Sequence, residues 1–219
     1  MRIAVMGAGG VGGYFGAQFA KAGHDVAFIA RGRHLAALRG YGLTIESEVG
    51  PVQALPVTAT DHPGELAPVD VVMFCVKLWD VEAAARQIAP LLADGGIVIP
   101  FQNGVESHVI LTRALGEQHV AGGVAQIAVV IREPGVISHG GTMARLRVGA
   151  FAGGPHAAVQ AFVEAGRSAG IDIELAPDIN RALWEKFVFL VAMSGTTALA
   201  RQPIGAVRSD PDLRAALAA

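Results

Sequence analysis

A glycine run set directly behind a short apolar strand narrows the fold of this chain more than any other feature. Arg2 to Met6 is a brief run with β-branched residues, and it leads without a spacer into Gly7-Ala8-Gly9-Gly10-Val11-Gly12, which fits G-x-G-x-x-G. The pattern alone recurs in many glycine-rich turns; between a strand and a helical stretch from about Val11 to Ala22 it acquires a physical meaning. Gly7 permits the tight turn. The missing side chain at Gly9 lets the backbone approach a pyrophosphate, and Gly12 lets helix and strand pack closely. The helix start then offers free N–H groups and the positive end of its dipole to phosphates. Gly7, Ala8, Gly9, Gly10, Val11 and Gly12 are therefore expected to bind a dinucleotide.

The rest of the first half keeps the rhythm. Asp25 to Ala30, Val69 to Val76 and Ile97 to Phe101 read as strands; a helical stretch from about Val81 to Leu92 separates the last two, with Gly95-Gly96 marking its exit. Strands alternating with helices imply a parallel sheet covered on both faces. Leu43 to Val57 breaks the pattern and reads as an inserted edge hairpin with two prolines. Val120 to Val148 is β-rich, with turns expected at Glu133-Pro134-Gly135 and Gly140-Gly141; a helix near Pro155 to Ala169 and a strand near Ile171 to Leu175 follow. Beyond Pro177 the pattern becomes helical, with one long helix from Asp178 to Leu199 and another from about Pro211. The expected class is α/β: a doubly wound Rossmann-type domain over residues 1–177, then the start of an all-α domain over residues 178–219.

Composition removes several functions. The formal net charge is −2, with no basic cluster, which argues against nucleic acid as the main partner. A mean hydropathy of +0.45 raises the question of a membrane, but a spanning helix needs about 20 consecutive apolar residues, and runs such as Val69 to Val76 and Phe187 to Met193 are shorter. The single cysteine, Cys75, lies in an apolar run and reads as a buried reduced thiol. The seven histidines show no metal-ligand spacing, so no metal site is expected. The N-terminus lacks the pattern of a signal peptide. A cytoplasmic protein is the expectation.

The tip of the second strand bears on the cofactor. Domains that bind NAD this way usually carry an acid about 20 residues after the motif, bonded to the ribose 2′-OH. Here the strand ends Phe28-Ile29-Ala30-Arg31. A guanidinium at that position suits a 2′-phosphate, because its planar fork binds phosphate in a bidentate way; Arg33 stands close by. NADPH is the expected cofactor, with Arg31 among its ligands.

Three further residues carry chemistry. Lys77 and Asn103 each sit just past the carboxyl end of a predicted parallel strand, the edge where open α/β sheets bind ligands. A solvated residue closing a strand, or a turn at Asn103-Gly104, fits the same positions. Lys186 falls in the long helix with Phe189, Leu190 and Met193 at i+3, i+4 and i+7, all apolar. A lysine that only solvates a surface has polar neighbours on its face. This one is expected at the rim of a buried cleft, where partial burial lowers its pKa and suits it to donate a proton; a lysine covering apolar surface with its stem is the competing reading. Glu185, one residue away, is placed off that face.

With these residues on the page, the sequence resembles the ketopantoate reductase (2-dehydropantoate 2-reductase) family. The shared features are the Met1 to Val5 start with its glycine motif, Val76-Lys77-Leu78-Trp79-Asp80, Gln102-Asn103-Gly104, Pro134-Gly135 followed by His139-Gly140, and Leu183-Trp184-Glu185-Lys186. The resemblance implies a two-domain NADPH enzyme of pantothenate biosynthesis that reduces 2-dehydropantoate to (R)-pantoate. It implies Lys186 as the general acid, Asn103 positioning nicotinamide and substrate, and Lys77 near the cofactor. It also implies a small 2-keto acid substrate contacting Asn103, Lys186 and Ser194.

The chain departs from the family in two ways. Asparagines are usual four and eight residues after the lysine, where this sequence has Leu190 and Ser194. A site loses selectivity when polar partners vanish, so another 2-keto acid or ketone is the alternative substrate, and a non-catalytic dinucleotide-binding module the alternative to an enzyme. Family members also continue past residue 219. A truncated helical domain is the expectation, and the apolar face it exposes beside the long helix invites a homodimer.

Overall fold

Strand alternation decides which residues face which layer. The structure, a computed structural model, describes residues 1–218. Its first half runs β1 (Arg2–Met6), α1 (Gly10–Lys21), β2 (Asp25–Ile29), α2 (Gly32–Tyr41), β3 (Leu43–Glu46), β4 (Val52–Leu55), β5 (Thr58–Thr60), β6 (Val69–Phe74), α3 (Val81–Ile88), β7 (Leu92–Pro100) and α4 (Ser107–Leu115). β5, β2, β1, β6 and β7 form one all-parallel sheet in that order. Odd-numbered residues of β1 and β6 (Ile3, Val5, Val71, Met73) face one core with Phe15 and Phe19 of α1. Their even neighbours (Ala4, Met6, Val72, Phe74) face a second core under Val81, Ala85 and Ile88 of α3 and Leu111 of α4. Both faces are thus covered, as near-continuous apolar strands require. Each fully buried phenylalanine contributes roughly 1.5–3 kcal/mol of apolar transfer.

The second half continues with β8 (Ala121–Glu133), β9 (Val136–Ala150), α5 (His156–Ser168), β10 (Asp172–Leu175), α6 (Ile179–Ala200), α7 (Ile204–Ser209) and α8 (Pro211–Ala218). β8 and β9 pair antiparallel across Pro134-Gly135. β9 also pairs parallel with β10 and with β3, whose antiparallel partner β4 is the sheet's edge. The hairpin expected in Leu43 to Val57 therefore forms, and it joins this second sheet. The two sheets share the first core, with Ile45 beside Phe15 and Phe19 in one cluster.

α6 is held at its start. Asp178 caps it by accepting the Arg181 amide at 3.0 Å, and Ile179, Ala182 and Leu183 pack on Val124. Beyond that turn the helix is largely exposed, with Val188 and Phe189 more than half accessible. Its 22 residues are long and apolar enough, by length and composition alone, to cross a membrane. Its unbroken apolar run from Phe187 to Met193 is nevertheless short, and Arg181, Glu185 and Lys186 interrupt the first half.

Other differences have local causes. Gly95-Gly96 lies inside β7, which starts at Leu92, because the β6–β7 register shifts between Val69 and Val71 and the glycines take up the slack. Gly140-Gly141 is likewise an irregularity within β9, where the register shifts between Ile127 and Val129; Gly141, at φ +73°, supplies the backbone it needs. α2, α4 and α7 are helices the sequence reading did not mark.

Candidate active site

The first cleft opens at the carboxyl edge of the parallel sheet where strand order reverses. β2 and β5 lie on one side of β1, β6 and β7 on the other, which is where such sheets bind ligands. It measures about 330 Å³ and is lined by Gly7, Ala8 and Gly9 after β1, Ile29 to Arg31 after β2, and Cys75 to Lys77 after β6. The amides of Gly7 and Ala8 both donate to the Ile29 carbonyl at 3.1 Å, tying the glycine loop to β2. The glycines then divide the labour. Gly7 sits at φ +95°, and a Cβ there would come within 2.9 Å of the Cys75 backbone. A Cβ at Gly12 would lie 2.7 Å from Val5 and 3.0 Å from Cys75, so this glycine seats α1 on the sheet.

A Cβ at Gly9 would meet nothing within 4 Å. That open side faces the start of α1, where Gly13 donates to the Gly9 carbonyl at 2.7 Å as the first helical bond. The amides of Gly10, Val11 and Gly12 precede it and have no intrahelical acceptor. Glycine loop, free amides and Arg31 fit a phosphorylated dinucleotide. Arg31 is exposed at the head of α2, and Asp80 is the one carboxylate among the lining residues. Burial pushes the Cys75 thiol up to about 12, so it stays protonated. Arg33 is exposed and outside the cleft lining.

Lys77 and Asn103 stand on adjacent strand ends, and Gln102 ties those ends together. Its side-chain amide donates to the carbonyls of Phe74 and Val76, at 3.0 Å each, fixing the exit of β6 immediately before Lys77. Asn103 is exposed beside Gly104, whose φ of +104° makes the turn.

Lys186 lies in a second cleft of about 600 Å³ between α6 and the β8–β9 hairpin. Ala182, Phe189, Leu190 and Met193 line it from the same helix face, Val124 to Ala128 from β8, Met143 and Arg147 from β9, and Asn103 from the end of β7. Burial, with no compensating partner among the described residues, pulls the Lys186 ammonium down to about 8. Glu185 also lines this cleft, which corrects its placement off the face: the lining stripe of a helix is at least about 100° wide, and a glutamate at its edge reaches in. Its carboxylate bonds Arg181 at 2.8 Å and Arg147 at 3.4 Å, and these hold it below the usual carboxylate range.

The nine sequence-derived cofactor residues and Ser194 thus fall in distinct places. Gly7, Ala8, Gly9, Arg31 and Lys77 share the first cleft, while Gly10, Val11 and Gly12 form the helix start behind it. Asn103 and Lys186 share the second. Ser194 lines a third space of about 580 Å³, with Asn103, Trp184, Phe187 and Leu190. Eight residues turn a helix to roughly 80° from the starting face, and the Ser194 hydroxyl donates back to the Leu190 carbonyl at 2.6 Å. Arg147 and His34 were missed. For Arg147 the signal was the alternation Arg145-Leu146-Arg147-Val148, which puts a cation on the face opposite two buried residues. His34 had no signal: its partners, Ala8 and Gly135, meet only in the fold.

A parallel sheet with a glycine loop at its switch point, beside a lysine cleft, defines a Rossmann-type oxidoreductase. Residues 3–153 match the family of ketopantoate reductases PanE/ApbA, and the chain belongs to that family. It is 32% identical over 212 residues to the 2-dehydropantoate 2-reductase of Archaeoglobus fulgidus, covering 97% of this chain and 68% of that one. It is 30% identical over 207 residues to the uncharacterized oxidoreductase YkpB of Bacillus subtilis, covering 94% and 68%. The crystal structure of 2-dehydropantoate 2-reductase from Geobacter metallireducens GS-15 superposes with a TM-score of 0.92 at 31% identity, over 99% of this chain and 71% of that one. The family is one of NADP-dependent oxidoreductases acting on CH–OH/C=O groups.

Proposed function

We propose that the protein reduces 2-dehydropantoate to (R)-pantoate with NADPH, serving pantothenate biosynthesis in the cytoplasm. Residues 1–177 hold the cofactor, and residues 178–219 contribute to a helical substrate domain. The observation that carries the reading is the desolvated Lys186 ammonium, lowered to about 8 in a cleft it shares with Asn103. The amides at the start of α1 hold the pyrophosphate, Arg31 the 2′-phosphate, and Lys77 the adjoining edge. Bound NADPH supplies the hydride that adds to the ketone carbon. Lys186 Nζ bonds the ketone oxygen, stabilises the charge that grows there and delivers the proton that completes the alcohol. Asn103, which faces both the second and third spaces, would help position substrate and nicotinamide.

A second reading, reduction of a different 2-keto acid, is favoured by Leu190 and Ser194. Neither offers an amide to the substrate, and the Ser194 hydroxyl is engaged by the Leu190 carbonyl. The test is NADPH consumption with 2-dehydropantoate and a panel of other 2-keto acids. Preferred turnover of 2-dehydropantoate supports the first reading, preferred turnover of another acid the second; no turnover with any of them overturns both.

A further inference from the structure

We propose that Arg147 is the residue that recognises the substrate carboxylate, and that it makes this reductase select 2-keto acids over neutral ketones. The inference rests on the reading that the Lys186 cleft receives the carbonyl substrate.

Arg147 stands on β9 opposite Val124 of β8, and both line the wall facing α6. Its neighbours are firmly paired: Arg145 bonds Asp172 at 2.7 Å and Arg181 bonds Glu185 at 2.8 Å. Arg147 is not. Its Nε lies 3.5 Å from the Glu174 carboxylate, buried and without a hydrogen bond, and its Nη1 reaches Glu185 only at 3.4 Å. A guanidinium carries five N–H donors in a fork that matches a carboxylate, and here most of that capacity is unspent. The side chain is only 25% exposed, so solvent does not fully compensate.

A monocarboxylate entering the cleft meets Arg147 at its long contacts, 3.5 Å to Glu174 and 3.4 Å to Glu185. Glu185 keeps its short bond to Arg181 when such a group arrives, so only long contacts are exchanged. Leu190 presents an apolar side chain to the cleft from α6, and Arg147 supplies donors from the opposite wall. Lys186 and Arg147 on facing walls suit the adjacent carbonyl and carboxylate of a 2-keto acid.

The experiment compares 2-keto acids with their matching 2-keto amides in NADPH oxidation by wild type, Arg147→Gln, Arg147→Lys and Glu185→Gln. Losing the carboxylate partner is expected to raise KM for acids about thirtyfold or more while kcat falls far less, collapsing the preference for acid over amide. Arg147→Lys, which keeps charge without the fork, is expected to fall between. Glu185→Gln removes a competing carboxylate and is expected to lower KM for acids. An equal rise in KM for acids and amides, or an unaltered KM for acids in Arg147→Gln, overturns the proposal. If wild type turns over neither class, the reduction reading fails, and calorimetric binding of a 2-keto acid decides this one separately. Binding lost in Arg147→Gln supports it, and equal binding overturns it.

Discussion

The His34 side chain donates from Nε2 to the Ala8 carbonyl at 2.8 Å, so one imidazole holds the middle of the glycine loop. That bond fixes the tautomer and leaves Nδ1 to accept the Gly135 amide at 3.1 Å. A neutral ring thereby clamps the loop to the turn of the β8–β9 hairpin. Burial lowers the pKa of His34 below 6.5, against the smaller opposing pull of the Ala8 carbonyl. The unfolded chain therefore takes up the proton first. Stability is expected to fall as pH drops below 6.5, down to the folded-state pKa. Protonated Nδ1 also faces the Gly135 N–H, so NADPH affinity is expected to fall with it. In His34→Gln, which keeps one donor and one acceptor, both pH dependences flatten. Melting temperature and NADPH titrations between about pH 5 and pH 8 check this; an equally steep decline in the variant refutes the clamp.

Gly9 and Gly12 separate binding from folding. A Cβ at Gly9 enters open space in the cleft, whereas one at Gly12 sits 2.7 Å from Val5 and 3.0 Å from Cys75. Gly9→Ala is expected to keep the wild-type melting temperature and lose NADPH affinity by about tenfold or more, because the methyl occupies the approach of the pyrophosphate. Gly12→Ala is expected to destabilise by roughly 1–3 kcal/mol as α1 shifts off the sheet. Thermal melts and fluorescence titration of both variants decide it. A destabilised Gly9→Ala with intact affinity would contradict the assignment.

Much of this was legible in the chain because strand and glycine signals are local. The motif after β1, the apolar strand runs and the hairpin turn at Pro134-Gly135 all follow from neighbours in sequence. Gly140-Gly141 misled because a glycine pair serves a turn and a β-bulge equally, and only the pairing of β9 with β8 distinguishes them. Lys186 was legible because its apolar neighbours recur at helical spacing. The alternation around Arg147 gave its side of β9 but not its partners, and Glu185 gave no signal, since their cleft exists only once β9 and α6 pack together.

Arg31 is expected to set the choice of coenzyme. It heads α2 at the rim of the first cleft, exposed, and its guanidinium fork matches a phosphate. Arg31→Ala is expected to weaken NADPH binding by about tenfold to a hundredfold and leave NADH binding nearly constant, a loss on the scale of a charge-assisted hydrogen bond of about 1.5–3 kcal/mol. Because the side chain is exposed, no change in melting temperature is expected. Calorimetry with both coenzymes checks it; an equal loss for NADPH and NADH would place Arg31 away from the 2′-phosphate.

Lys186 couples activity to stability with opposite signs. Burial alone lowers its ammonium to about 8 from 10.5, with no carboxylate bonded to it among the described residues. The folded state therefore disfavours the charged form. The cost is complete below about pH 8, fades as pH rises toward 10.5, and is absent above that. Lys186→Met removes it. The variant is expected to be more stable at neutral pH by roughly 1–3 kcal/mol, with the gain shrinking as pH rises past 8. The same change removes the proton donor, so turnover is expected to drop by about 10²–10⁴-fold while NADPH affinity holds. In wild type, kcat/KM is expected to fall above about pH 8 with a single ionisation, as the ammonium is lost. Melts across pH, paired with initial rates, test both halves. A variant both less stable at neutral pH and catalytically intact would show that Lys186 is an anchoring side chain and that the proton comes from elsewhere.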